Sequence, residues 1–288
     1  MAKSNKVVIQ ACLCGAGTTK KQTPYVPITP EEISDDVVKC VEAGASICHI
    51  HVRDENGIHS SDTAIFQKVC DLSREKLAKR NLDCILNLTT SGSKFPDDLR
   101  VAQLYACQPE MCSYDPGTLN WGYKNVFLNT PTFLERLGKV CQELDVKPEC
   151  EIFDTGMMGA IDYYVKHGFL AEPVHYQFVL GVKGGIEGDA RSLSFLLPMR
   201  RPNSTWSITG IGKWHVPCML LGLAEGCDGL RVGLEDNIYY SKGELATNAQ
   251  LVERAVKLSL DAGRGIATPD EAREILSINK KEKLTMGK

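Results

Sequence analysis

Read only for its hydrophobic and polar positions, the chain alternates between two periods. Short apolar runs recur at residues 7–14, 46–52, 83–89, 110–114, 148–153, 175–181, 205–209 and 228–234, each bounded by turn residues and followed by a stretch with helical spacing. The pattern therefore predicts eight strands alternating with helices. Helices are expected over 30–44, 62–80, 132–144, 155–167, 215–226 and 242–262, with less regular helical stretches after Phe95 and after Asp189. Thr29-Pro30-Glu31-Glu32 opens the first of them with proline in the first turn and two carboxylates against the positive end of the helix dipole. A last helix begins at Pro269, after Thr268, with Asp270 and Glu271 in its first turn.

Parallel strands separated by helices either close into a barrel or form an open, doubly wound sheet, and open sheets commonly stop near about six strands. Here the polar residues gather at the C-terminal ends of the runs, the face on which a barrel builds its active site. The expectation is an α/β fold, a single (β/α)8 TIM barrel over residues 1–288 with a short extra C-terminal helix.

Composition narrows the class of function. At 43% hydrophobic and 24% charged residues the chain is an ordinary globular protein. Its formal net charge of -3 offers no broad basic field for nucleic acid or an anionic membrane, and no apolar stretch of about 18 residues exists to span one. Lys280, Lys281, Lys283 and Lys288 read as a solvated C-terminal tail. The 12 cysteines include no CxxC pair and follow no apolar leader, so they are expected as packed thiols in a cytoplasmic protein. Cys12 and Cys14 fit packing better than metal binding, because no second Cys/His pair of zinc-site spacing accompanies them.

Candidate chemistry concentrates on two strands. In Cys48-His49-Ile50-His51-Val52 the histidines are two apart, so both point to one face of the second strand, at its mouth end. That spacing suits a divalent ion, with Arg53 and Asp54 as supporting groups, or equally a pair of buried, hydrogen-bonded histidines. In Arg231-Val232-Gly233-Leu234-Glu235-Asp236 on the eighth strand, Arg231 and Glu235 share a face and Asp236 caps the end. Two histidines and one carboxylate make the ligand set of catalytic zinc sites that keep a position open, whereas Arg231 with Asp236 also fits a structural ion pair.

Weaker signals surround these. Thr89-Thr90-Ser91-Gly92 and the run from Ser113 through Asp115 to Gly117 read as mouth loops suited to a carboxylate, or simply as helix caps. Glycine turns at Gly184 and Gly185, and at Gly212 and Lys213, follow strands six and seven, where barrels often hold phosphate. Tight turns alone explain such glycines too. His215 is placed to orient a ligand or to start a helix, and His59, His167 and His175 acquire no partner from the sequence.

At the level of whole motifs the chain resembles the β-keto acid cleavage enzymes from end to end: ITPEE at 28–32, HIHVR at 49–53, PGTLNWG at 116–122, QFVLG at 177–181, GIGKWH at 210–215 and RVGLEDNIY at 231–239. The resemblance implies a (β/α)8 barrel, zinc or another divalent ion on His49, His51 and Glu235, and Arg231 with Asp236 as the catalytic pair. It implies that Thr89, Gly92 and Ser113 face a β-keto acid, and that this acid exchanges its acyl part with acetyl-CoA to release acetoacetate and a new acyl-CoA. It further implies a homo-oligomer. One position departs: the family's prototype, which cleaves 3-keto-5-aminohexanoate, has a glutamate for the substrate amine where this chain has Gly17. A glycine cannot pair with an ammonium, so the expected substrate lacks that amine. Asp115 stands where the prototype has asparagine, which favours a cationic or hydroxylated chain.

Two other functions compete. A metal-dependent hydrolase of the amidohydrolase kind also uses HxH in a barrel, but on the first strand and with further histidines on strands five and six; here HxH is on strand two, and residues 148–153 contain no histidine. A ligand-binding barrel without catalysis is the other, since a fold alone never fixes a function.

Overall fold

Each apolar run is a strand, and each strand pairs in parallel with the next. In the computed structural model, which describes residues 4–281, these are β1 (Lys6–Cys12), β2 (Ile47–Ile50), β3 (Ile85–Leu88), β4 (Met111–Tyr114), β5 (Lys147–Ile152), β6 (His175–Leu180), β7 (Thr205–Gly210) and β8 (Gly229–Val232). Their order in the sheet is their order in the chain, and β8 pairs back onto β1, with Gln10 opposite Arg231 and Ala11 opposite Val232. The sheet is therefore a closed parallel barrel of eight strands. Lys283 and Lys288 of the basic tail lie outside the described residues.

The helices follow in turn: α1 (Pro30–Glu42), α2 (Thr63–Lys79), α3 (Asp97–Cys107), α4 (Pro131–Glu143), α5 (Thr155–Lys166), α6 (Ala190–Leu196), α7 (His215–Ala224), α8 (Asn248–Asp261) and α9 (Pro269–Leu276). Their starts obey local chemistry. Thr29 and Glu32 form a reciprocal capping box at α1, as do Thr247 with Gln250 at α8 and Thr268 with Glu271 at α9. Helix α8 starts later than the expected residue 242, because Tyr239–Ser241 and Glu244–Leu245 form an antiparallel hairpin turning at Gly243 (φ +82°). Two more small hairpins, Val52–Arg53 with His59–Ser60 and Leu119–Trp121 with Asn125–Phe127, were not evident from periodicity.

The two ends of the barrel differ. At the N-terminal end, Val8, Ile47, Ile85 and Met111 form an apolar layer covered by Ala272 and Leu276 of α9. The extra C-terminal helix is thus a plug, and Leu276→Ala there would cost about 2–5 kcal/mol. The apolar residues between strands and helices form one larger core, to which most cysteines contribute; all twelve cysteines are buried. Among the described residues no helix is long and apolar enough to cross a membrane.

Candidate active site

At the C-terminal end, the residues that periodicity aimed at the mouth do converge. His49 is the third residue of β2 and His51 follows the strand's end, their ring centroids 5.0 Å apart. Glu235 arrives from the other side of the β1 strand. Its Oε1 lies 3.4 Å from His51 Nε2 and its Oε2 lies 3.9 Å from His49 Nε2. One ligand atom from each of the three side chains falls within 4.8 Å of the others.

The route by which Glu235 gets there differs from the expected continuous strand. Strand β8 ends at Val232, and Gly233 turns the chain at φ +145°, packed so close to Cys12 that a Cβ would sit 2.0 Å from its carbonyl oxygen. Only glycine fits that approach. The turn is fixed by Glu235 N–H donating to Cys12 O at 3.2 Å and by Asp236 N–H and Asn237 N–H both donating to Gly233 O. Glu235 therefore reaches the histidines from a turn rather than from a pleated strand. Gly15, at φ +56°, lies beneath it, where a Cβ would come within 2.5 Å of Glu235 Cγ.

The donor set fits a divalent cation on two observations. Nδ1 of both histidines and Oε2 of Glu235 are buried without a hydrogen-bond partner, a state that costs about 1–3 kcal/mol per atom unless something satisfies it. Burial, opposed by the charge of Glu235, lowers the pKa of His49 to about 3, so its imidazole is neutral, the form that ligates metals. Burial pushes Glu235 up, but the two neighbouring imidazoles and the fixed positive charge of Arg231 outweigh it and hold the carboxyl well below its usual range.

Arg231 is the hub beside this triad, with its side chain 2% exposed. Its Nε and Nη2 donate to both oxygens of Asp236 at 2.9 and 3.0 Å, Nη2 also to Glu235 Oε1 at 2.9 Å, and Nη1 to Glu151 Oε1 at 3.0 Å. Three carboxylates thus share one guanidinium. Burial keeps the pKa of Asp236 above its ordinary value despite Arg231, and burial drives Glu151 far higher.

Sequence reasoning missed Glu151 and its neighbour Glu149. Glu149 Oε2 accepts from Gln10 Nε2 at 3.0 Å and from Asn87 Nδ2 at 2.6 Å, forming a polar layer inside the barrel. The signal was available: Glu149-Cys150-Glu151 on β5 has the same two-residue spacing as the histidines on β2. His59 was missed as well. It comes in on the Val52–Arg53 hairpin to lie 5.2 Å from His51, ring to ring, with its buried Nε2 unpartnered and its pKa lowered to about 3 by burial and by His51.

The remaining expected residues sort by position. Thr89 N–H donates to Ile50 O, which sets Thr89 beside the histidine strand. Gly92, at φ +123°, faces Phe95 and His59. The Ser113 hydroxyl accepts from Thr90 N–H, and Asp115 is buried, its pKa raised to about 6 by desolvation against the pull of Arg100 and Arg231. Gly17 is exposed with nothing within 4 Å of where a Cβ would stand. Arg53 and Asp54 hold loops rather than the histidines: Arg53 donates to the carbonyls of Cys14, Gly15, Thr18 and Gly57, and Asp54 caps its own turn. Gly184 and Gly185 press against the backbone of Asn120 and Phe153, which accounts for both glycines by packing. Gly212 N–H is taken by Asn237 Oδ1 at 2.6 Å, yet Gly212 and Lys213 line a cavity of about 840 Å³ that reaches Glu235 and Asp236.

Known proteins with this architecture carry the same story in their sequences. The profile of the beta-keto acid cleavage enzymes matches residues 6–278. The chain is 42% identical to a 3-keto-5-aminohexanoate cleavage enzyme of Fusobacterium nucleatum subsp. nucleatum over 96% of its own length and 99% of that protein's. It is 32% identical to a 3-dehydrocarnitine:acetyl-CoA trimethylamine transferase of Rhizobium meliloti, over 98% of this chain and 99% of the relative. A solved ternary complex of ObcA with a C4-CoA adduct and oxalate shares the fold at a TM-score of 0.73, with 21% identity over 88% of this chain and 68% of that one. With a family profile spanning nearly all of the barrel and relatives aligned end to end, this chain belongs to the beta-keto acid cleavage enzyme family.

Proposed function

We propose that this protein exchanges the acyl part of a small β-keto acid with acetyl-CoA, releasing acetoacetate and a new acyl-CoA, with His49, His51 and Glu235 as ligands of a zinc ion and Arg231 with Asp236 as the catalytic pair. The observation that carries this reading is the convergence of the three ligand atoms beside an Arg231 already bonded to both Glu235 and Asp236. A divalent ion held there supplies Lewis-acid charge to a ketone oxygen and makes carbon 2 of the acid easier to deprotonate.

The chain's own groups do the rest. The Asp236 carboxylate, its basicity raised by burial, takes the proton from carbon 2, and Arg231 holds it in place through both oxygens. The carbanion attacks the acetyl carbonyl carbon and expels CoA thiolate. The thiolate then adds to the original ketone carbon, the bond from that carbon to carbon 2 breaks, and acyl-CoA leaves. Acetoacetate departs as its enolate and recovers the proton from Asp236, so the enzyme ends as it began. Arg231, desolvated and fixed by Glu151, faces the oxyanions that form along the way.

The substrate side of the proposal comprises Thr89, Gly92, Ser113, Asp115 and Gly17. Open space at Gly17 leaves the position of an amine-binding carboxylate empty of one, so the preferred acid lacks the 5-amino group. Asp115, a buried carboxyl, favours a hydroxyl or cationic group on the acyl chain. The same reading makes residues 1–288 a single catalytic domain, places it in the cytoplasm where buried cysteines stay reduced, and has it act as a homo-oligomer. The test is to incubate metal-loaded protein with acetyl-CoA and a panel of β-keto acids and to weigh the acyl-CoA products. New acyl-CoA species that require acetyl-CoA support the proposal, and hydrolysis products formed without it would favour the hydrolase instead.

A further inference from the structure

We propose that the cavity of about 840 Å³ between the β7–α7 and β8–α8 loops is the coenzyme A site, with Lys213, Lys242 and Arg254 taking the phosphates and His215 the pantetheine arm. This rests on the acetyl-CoA exchange proposed above.

Charge comes first. Among the described residues the carboxylates on the cavity wall are Glu235 and Asp236, and Arg231 already binds both. The same wall carries Lys213, Lys242 and Arg254. Lys213 lies 4.7 Å from the Trp214 ring and Arg254 lies 3.4 Å from the Tyr240 ring, contacts that hold a cation in place without neutralising it. A pocket that carries both the catalytic carboxylates and three cations matches a thioester whose far end is polyphosphorylated.

His215 supplies an independent sign of a ligand. It is 4% exposed, it lines the cavity, and its Nε2 is buried with no hydrogen-bond partner. Burial, together with the charge of Arg254, lowers its pKa to about 4, so the ring is neutral and suits an amide rather than a phosphate. Pantetheine carries two amides between its phosphates and its sulfur, and His215 lines the same cavity as the cations and the catalytic carboxylates.

Size and rigidity agree. The volume lies toward the top of the range of about 300–1,000 Å³ for small-molecule sites and exceeds what a short keto acid needs. Asn237 fixes the glycine turn by accepting from Gly212 N–H and donating to Gly210 O. With that N–H taken, the grip on phosphate falls to side chains rather than to a backbone cradle.

The test measures binding by calorimetry, apart from turnover, using CoA and pantetheine as two probes on the metal-loaded protein. The double variant Lys213→Ala/Lys242→Ala, both exposed positions, is expected to weaken CoA by about tenfold or more while leaving pantetheine unchanged. His215→Gln is expected to weaken both probes, with KM for the keto acid unaltered. Lys183→Ala, on the exposed glycine turn after β6, serves as the control and should bind CoA normally. Unchanged CoA binding in the double variant, or an equal loss in Lys183→Ala, overturns the site while acetyl-CoA-dependent turnover keeps the exchange reaction standing. No CoA binding and no acetyl-CoA-dependent turnover by the unmutated protein would overturn both.

Discussion

Arg231 and Arg273 occupy opposite ends of the barrel in nearly the same dress. Each is almost fully buried, at 2% and 6% side-chain exposure, and each meets three carboxylates: Glu151, Glu235 and Asp236 for the first, Asp83, Glu110 and Asp270 for the second. The difference is in what remains. Around Arg273, Asp83 and Asp270 are substantially solvated and Glu110 is held by both oxygens, so the cluster is complete as it stands and ties α9 to the strand starts. Around Arg231, Glu235 keeps one buried oxygen unpartnered beside two histidines with unpartnered nitrogens. A buried ion cluster with every group answered is a clamp; one with atoms left over is prepared for a ligand.

The largest effects that test this contrast are catalytic. Asp236→Asn keeps the shape of the upper cluster but removes the base, and turnover is expected to fall roughly a thousandfold with bound metal unchanged. Full activity in that variant would remove Asp236 from the mechanism. Glu235→Gln is expected to lose the metal itself, from about one ion per chain to a small fraction by elemental analysis, because a neutral amide replaces the charged ligand. Retention of a full equivalent would mean the ion binds elsewhere.

At the lower end the prediction reverses. Arg273→Met should cost about 2 kcal/mol in denaturant unfolding, discounted for the solvated partners, while turnover stays within about twofold. Loss of activity without loss of stability would break the division between the two ends.

The smallest effect concerns pH, at a histidine belonging to neither cluster. His175 is bonded to Thr205 and Ser207 through its two ring nitrogens, and burial lowers its pKa from 6.5 to about 3. Between those values the unfolded chain binds a proton that the native state refuses, so stability falls as pH drops below 6.5. His175→Gln should flatten that acid limb by up to about 1.4 kcal/mol per pH unit. An unchanged slope from pH 6 to 4 in urea titrations would assign the acid sensitivity to other groups.

Much of this was legible in the chain. All eight strands were evident because parallel strands buried on both faces are continuous apolar runs, and the histidine pair was evident because a spacing of two shares a face. Glu235 was placed at the right mouth through the wrong geometry: nothing in the run 231–236 distinguishes a pleat from a turn until Gly233 is seen pressed against Cys12. His59 stayed hidden because it reaches the site on a hairpin of two-residue strands, too short to show a period. Glu149 and Glu151 stayed hidden because their run was read for apolar content alone. The cavity flanked by Lys213, Lys242 and Arg254 joins residues from four separate segments, and only the closed fold brings them together.

The most direct test follows a label. Acetyl-CoA carrying 13C in its carbonyl, incubated with a β-keto acid and the metal-loaded protein, should deliver the label to carbon 3 of acetoacetate and leave the new acyl-CoA unlabelled. Label retained in the CoA thioester, or keto acid consumed at the same rate without acetyl-CoA, would contradict the exchange at its core.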